Sequence, residues 1–177
     1  PGMRASLTQA EGTIKRQETL IVNQGASQEM ELIDTISELP EMAPHLANIH
    51  AWDIDVFEFA EKAQGSGLVV GLHCLLQGYG LIDKFRISKH RLLTFTRRIM
   101  EGYRAENPYH NATHALDVVL NTNYFLRHPV ISDLIQPIDR LAALVASAIH
   151  DFQHPGLNNQ FLQATKHDYA ITYNDSS

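Results

Sequence analysis

One cysteine, Cys74, stands in the 177 residues, so no internal disulfide can form and nothing marks a stapled, secreted fold. A reducing, cytoplasmic setting is the expectation, or the cytosolic face of a membrane if another part of the protein anchors it. No apolar run reaches the roughly 18 residues that a bilayer span needs. The polar start, Pro1 to Thr19, has no apolar stretch of the kind a signal peptide carries. Positive charge is also short: 14 Lys plus Arg stand against 20 Asp plus Glu, a formal net charge of -6. That leaves no basic footprint for a nucleic-acid backbone and no polybasic patch for an anionic lipid surface. What is present, 44% hydrophobic and 19% charged residues, is the composition of a globular chain long enough to bury one domain's core.

Up to residue 47 the sequence is polar and weakly patterned, and Gly12, Gly25, Pro40 and Pro44 break any long helix. It reads as a leader or linker. Within it Leu32, Ile36 and Leu39 recur at helical spacing after Ser27, which predicts a short amphipathic helix packing on the domain or on a second copy in a homodimer. The main domain is expected over 48–177, where apolar residues thicken from Trp52 through Ile54, Val56, Phe57 and Phe59. Leu68 to Leu76 predicts a buried helix ended by Gly78 and Gly80. Ser88 predicts the N-cap of a helix carrying Leu92, Phe95 and Ile99 on one face and stopped by Asn107-Pro108. A further helix is expected from about Tyr109 to Arg127. Pro137 suits the first turn of another, with Leu141, Leu144, Val145, Ala148 and Ile149 apolar and the rest small, which predicts a helix at the centre of a bundle. A short helix follows around Asn159 to Thr165. With no useful alternation of strand type, the class is all-α, a multi-helix bundle.

Six of the ten histidines lie between His110 and His167. His110 and His114, four apart, would share one helix face, but about 0.6 such pairs arise by chance at this histidine frequency. The segment His150-Asp-Phe-Gln-His-Pro-Gly156 differs in kind, since five fixed identities in seven positions occur by chance on the order of 10⁻⁴ times. Neutral imidazole and carboxylate are ligands for divalent metals, and a carboxylate can bridge two ions. His150 and Asp151 at a helix end therefore suit a dinuclear site. His45, His50, His73, His90, His128 and His167 have no such spacing and read as ordinary residues. Asn111-Ala-Thr and Asn174-Asp-Ser fit glycosylation acceptors, but without a secretory signal they read as parts of the site.

Asn107-Pro-Tyr-His-Asn-Ala-Thr-His-Ala, Asp117-Val118, Ala148-Ile-His-Asp-Phe-Gln-His-Pro-Gly, Asn159-Gln-Phe-Leu and Tyr173-Asn-Asp-Ser occur in this order. Together they resemble the class I cyclic nucleotide phosphodiesterases, within the wider HD-domain group of His...His-Asp...Asp metal phosphohydrolases, over roughly residues 52–177. The resemblance implies hydrolysis of cAMP, cGMP or both to 5'-monophosphates by a hydroxide bridging two metals. It makes His110 the general acid that protonates the departing 3' oxygen. His114, His150 and Asp151 become metal ligands, with Asp151 bridging Zn²⁺ and a second ion, Mg²⁺ or Mn²⁺. His154 corresponds to a residue beside the water the metals hold, and Tyr109 to one lining the nucleotide pocket. Gln153 departs from the acidic residue usual there, and Leu116 and Leu120 from the usual Ala and Gln. The family's further aspartate ligand and purine-gripping glutamine would lie after Ser177, so the chain is expected to hold the N-terminal part of a catalytic domain and, alone, not to turn over substrate. A degenerate module used for binding or dimerisation, or another phosphohydrolase of the HD group, are the competing readings.

Overall fold

The computed structural model describes residue 36 and residues 38–174. Every regular element among them is a helix: α1 (Ala43–Ala47), α2 (Val56–Lys62), α3 (Gly67–Gly78), α4 (Leu81–Lys84), α5 (Lys89–Gly102), α6 (Ala112–Leu126), α7 (Pro129–Ser132), α8 (Pro137–Ile149), α9 (Asn159–Ala164) and α10 (Asp168–Thr172). The all-α expectation holds. No helix among the described residues is long and apolar enough to cross a membrane.

The enclosed helix is α3. Leu68, Val69, Val70, Leu72, Leu75 and Leu76 are all buried there, each such side chain contributing about 1.5–3 kcal/mol when fully removed from water. Close approach of α6 depends on Gly71, where an added Cβ would lie 2.7 Å from a methyl of buried Leu116. The expectation that α8 forms the centre of the bundle is corrected. Only Leu144, Ser147 and Ala148 of α8 are buried, while Ile138 and Ile149 are exposed. An apolar sequence permits burial but does not name the partner surface, and α8 covers the core with one stripe only.

Local chemistry sets the helix ends. Ser88 caps α5 by accepting from the Arg91 N–H at 3.4 Å, as expected. That helix ends at Gly102, not at Asn107-Pro108, because Tyr103 leaves the helix in an extended conformation with its side chain buried. Helix α6 starts at Ala112, three residues later than expected, because Asn111 takes the N-cap. Asp55 caps α2 by accepting from the N–H groups of Phe57 and Glu58 at 3.0 and 2.9 Å. Of the aromatic group thought to open the domain, Phe59 is buried, but Trp52 and Phe57 are exposed. Packing against the main core reaches back across residue 47, for Ile36 and Met42 are fully buried in it with Ile49. Leu32, and with it most of the amphipathic helix expected after Ser27, lies outside the described residues.

The segment entering the domain is tied down by Asn123, which is fully buried on α6. Its amide donates to the Ile49 carbonyl at 3.1 Å and lies 3.1 Å from His50 Nδ1, while its oxygen accepts from Tyr79 Oη at 2.6 Å. A carbonyl can only accept, so the amide orientation is fixed and His50 Nδ1 is the acceptor. The Arg140 guanidinium stacks 4.3 Å over the Tyr79 ring. Replacing Asn123 by Ala strands several buried polar groups and should lower the unfolding free energy by about 2 kcal/mol, read as a lower urea midpoint at unchanged m-value. A loss too small to measure would show that the network is ornamental.

Burial and the Arg127 charge hold His50 below its ordinary 6.5. The unfolded chain therefore takes up this proton first as pH falls. His50's contribution to stability is complete above about 6.5 and is lost as the pH drops through that value towards the folded-state pKa. His50→Gln should flatten the fall in melting temperature between pH 7 and 5. An unaltered slope would remove His50 from that acid sensitivity.

Candidate active site

The start of α6 is fixed by Asn111. Its Oδ1 accepts from the N–H groups of Thr113 and His114 at 3.0 and 3.1 Å, and its Nδ2 donates to the Asn107 carbonyl at 3.0 Å. This N-cap satisfies donors that the first helical turn leaves open. His110 consequently lies in the loop before the cap, and the expected pairing of His110 with His114 along one helix face is corrected: His114 is helical, His110 is not. Both ends of the Asn111 amide are committed to the backbone, which leaves the Asn111-Ala-Thr triplet a capping role.

The other half of the site comes from the end of α8. His150 is its C-cap, and Nδ1 of His150 sits 2.8 Å from the Ser147 carbonyl. Since that carbonyl only accepts, Nδ1 carries the proton and Nε2 presents a lone pair. Nε2 lies 3.3 Å from Nε2 of His114. Oδ2 of Asp151 is 3.1 Å from Nε2 of His150, 3.4 Å from that of His114 and 3.9 Å from that of His110. Tyr103 holds the backbone here: its hydroxyl donates to the Ala148 carbonyl at 3.0 Å and accepts from the Asp151 N–H at 3.3 Å. Burial raises the phenol above its ordinary 10.0, more than the Asp151 amide lowers it, so it stays a donor.

His154 stacks on His110, ring centroids 3.9 Å apart and 24° from parallel. Nδ1 of His154 accepts from the Gly156 N–H at 3.0 Å, which places the proton of the neutral ring on Nε2. Burial, then the neighbouring His110, lower the His154 pKa. Tyr109 is largely exposed and covers the His114 ring at 4.3 Å. A cleft of ≈ 460 Å³ opens beside His150, Asp151 and His154, walled by Phe152, Leu162 and Tyr173. Tyr109, expected at a nucleotide pocket, does not line this cleft.

Two donor groups emerge, His114-His150-Asp151 and His110-Asp151-His154, sharing one carboxylate. The first fits a divalent ion well. Ligand bonds of about 2.0–2.1 Å put neighbouring donor atoms roughly 3.0–3.4 Å apart, and the observed separations are 3.1, 3.3 and 3.4 Å. Burial, followed by the nearby His150, holds His114 below its ordinary 6.5 despite the Asp151 carboxylate, favouring the neutral ring that binds metal.

Residues 109–177 match the family described as 3'5'-cyclic nucleotide phosphodiesterase. Over that segment, 69 of the 177 residues, the chain is similar to that family. Over 153 residues, 83% of this chain, it is 35% identical to a 3',5'-cyclic-AMP phosphodiesterase of Dictyostelium discoideum. It is 36% and 37% identical, over 139 residues, to the mouse and human forms of a high affinity cAMP-specific, IBMX-insensitive 3',5'-cyclic phosphodiesterase. Those stretches are 78% of this chain, and it spans only 15% to 17% of the length of these relatives. A phosphodiesterase of this family depends on divalent metal, in agreement with the donor group above. His110, His114, His150, Asp151 and His154 all fall inside the matched segment.

Roles for Tyr103 and Ser147 and the capping use of Asn111 were not expected, and Asn107 was expected only as a helix stop and as part of the family motif. An Asn immediately before a helix that opens Ala-Thr-His is a capping signal that was there to be read. Tyr103 and Ser147 act across 45 and 25 residues, a distance no local pattern encodes. Tyr103→Phe should cost about 1 kcal/mol of stability and weaken divalent-ion binding about 10-fold, followed by calorimetric titration with Zn²⁺. Affinity equal to that of the unaltered protein would show that Asp151 is held without it.

Proposed function

We propose that the protein carrying this chain hydrolyses 3',5'-cyclic nucleotides to 5'-monophosphates, with residues 48–177 forming the N-terminal part of its catalytic domain. The observation that carries the reading is the arrangement of three imidazoles around Oδ2 of Asp151 inside the segment that matches the family. His114, His150 and Asp151 are assigned as metal ligands. Divalent ions held there, Zn²⁺ together with Mg²⁺ or Mn²⁺, supply water activation and charge neutralisation of the phosphate.

The chain's own residues do the rest. Asp151, offering one oxygen to both donor groups, ties the two halves of the site together. His150 is locked by Ser147 with Nε2 forward, so it enters as a neutral ligand without paying to reorient. His110 is the general acid: an alkoxide leaving group needs a proton as the bond from phosphorus to the 3' oxygen breaks, and imidazolium carries one near neutral pH. The Asp151 carboxylate lies 3.9 Å from His110 Nε2. His154, with its proton on Nε2, is a hydrogen-bond donor beside the acid. Tyr109 shields His114 from solvent and is assigned to the wall of the substrate site. The named relatives are enzymes of cyclic AMP, which makes cAMP the first substrate to assay.

His110→Ala should lower turnover on cAMP by about 10²- to 10⁴-fold with metal content nearly unchanged. Asp151→Ala should lose metal and activity together. The pair is read by metal analysis and 5'-nucleotide release, and equal metal loss in both variants would contradict the separation of roles.

A further inference from the structure

Asn107 is buried, 6% exposed, in the loop between α5 and α6. Its single amide nitrogen donates to two carbonyls, that of His110 at 3.1 Å, three residues on, and that of His154 at 3.0 Å, 47 residues on. These are the two residues whose rings stack 3.9 Å apart. The other face of the side chain rests on Gly156, in the left-handed conformation with φ +77, where an added Cβ would run into Asn107 Oδ1. Both protons of one NH₂ group are thus spent on joining the His110 loop to the His154 turn. The Asn107 carbonyl in turn accepts from Asn111, the cap of α6.

We propose that Asn107 is a positioning residue for His110, fixing its ring against His154 by clamping both backbones. The inference rests on the reading of His110 as the general acid. The two carbonyls lie on separate segments, and each would be solvated equally well apart. Removing the clamp frees the His110 loop to shift by a fraction of its own width, while His114, His150 and Asp151 remain held by the Asn111 cap, Ser147 and Tyr103.

The test uses the protein that carries this chain, with Asn107→Ala, the near-isosteric Asn107→Asp, which keeps the shape but offers no donor, and Gly156→Ala, which crowds the side chain out. Turnover is compared on cAMP, whose alkoxide leaving group needs a proton, and on a phosphodiester with a nitrophenolate leaving group, which does not. Each variant should lose about 10- to 100-fold in kcat on cAMP, with KM and metal content little changed, and lose at most about threefold on the nitrophenyl ester. Equal losses on both substrates would overturn the proposal, because they would mean general damage; no loss on either would overturn it as well. Ring-proton shifts of isotopically labelled histidine, read without metal, provide an arm independent of activity. The shielding of His110 and His154 by each other should vanish in the variants, and its persistence would refute the clamp. Absence of turnover on either substrate by the unaltered protein would instead sink the functional reading, with the ring shifts still deciding whether Asn107 holds the pair.

Discussion

Around Oδ2 of Asp151, three imidazole nitrogens gather at 3.1, 3.4 and 3.9 Å, and the surrounding structure exists to keep them there. The Nε2 lone pair of His150 points at His114 and at the carboxylate, an arrangement that a cation relieves. The C-terminal end of α8, a helix of 13 residues, lies at the same group, its last carbonyls accepting from His150, Tyr103 and Phe152. That helix end carries a partial negative charge of about half an electron, which also favours a positive ion. The donor set, the spacing and the helix end therefore agree on one kind of occupant.

The contact of α6 with α8 makes the gathering possible. The two helices run in opposite senses, with His114 facing His150, Thr122 bonded to Ser147 through their hydroxyls at 2.8 Å, and the Leu126 carbonyl accepting from Arg140 at 3.1 Å. Ser147 takes part twice, its hydroxyl meeting Thr122 and its carbonyl meeting His150. Behind both helices stands α3, with its six buried Leu and Val side chains, so the rigid core and the reactive edge are adjacent layers.

The stretch from Tyr103 to Asn111 is the second support. Tyr103 reaches Ala148 and Asp151, Asn107 reaches His110 and His154, and Asn111 sets the first turn of α6 under His114. None of these groups is charged. Each spends its hydrogen-bonding capacity on backbone, which places chain segments without competing for the metal or for a phosphate.

Much of this was legible in one dimension. Proline and serine signals located α5 and α8, the density of Leu and Val located α3, and the crowding of His with Asp named the donor atoms, because helix capping, hydrophobic burial and ligand chemistry are properties of residue type and short spacing. The sequence pattern erred where the outcome depended on a partner surface. Ile138 and Ile149 of α8 lie open, and α6 begins after Asn111 instead of at Tyr109. Residue identity alone determined which atoms can hold a metal and which segments become helices. Which distant carbonyl each of Tyr103 and Asn107 reaches was decided by tertiary packing, since the Tyr103–Ala148 and Asn107–His154 bonds join residues more than 40 positions apart and form only once the loop after α5 has met the end of α8.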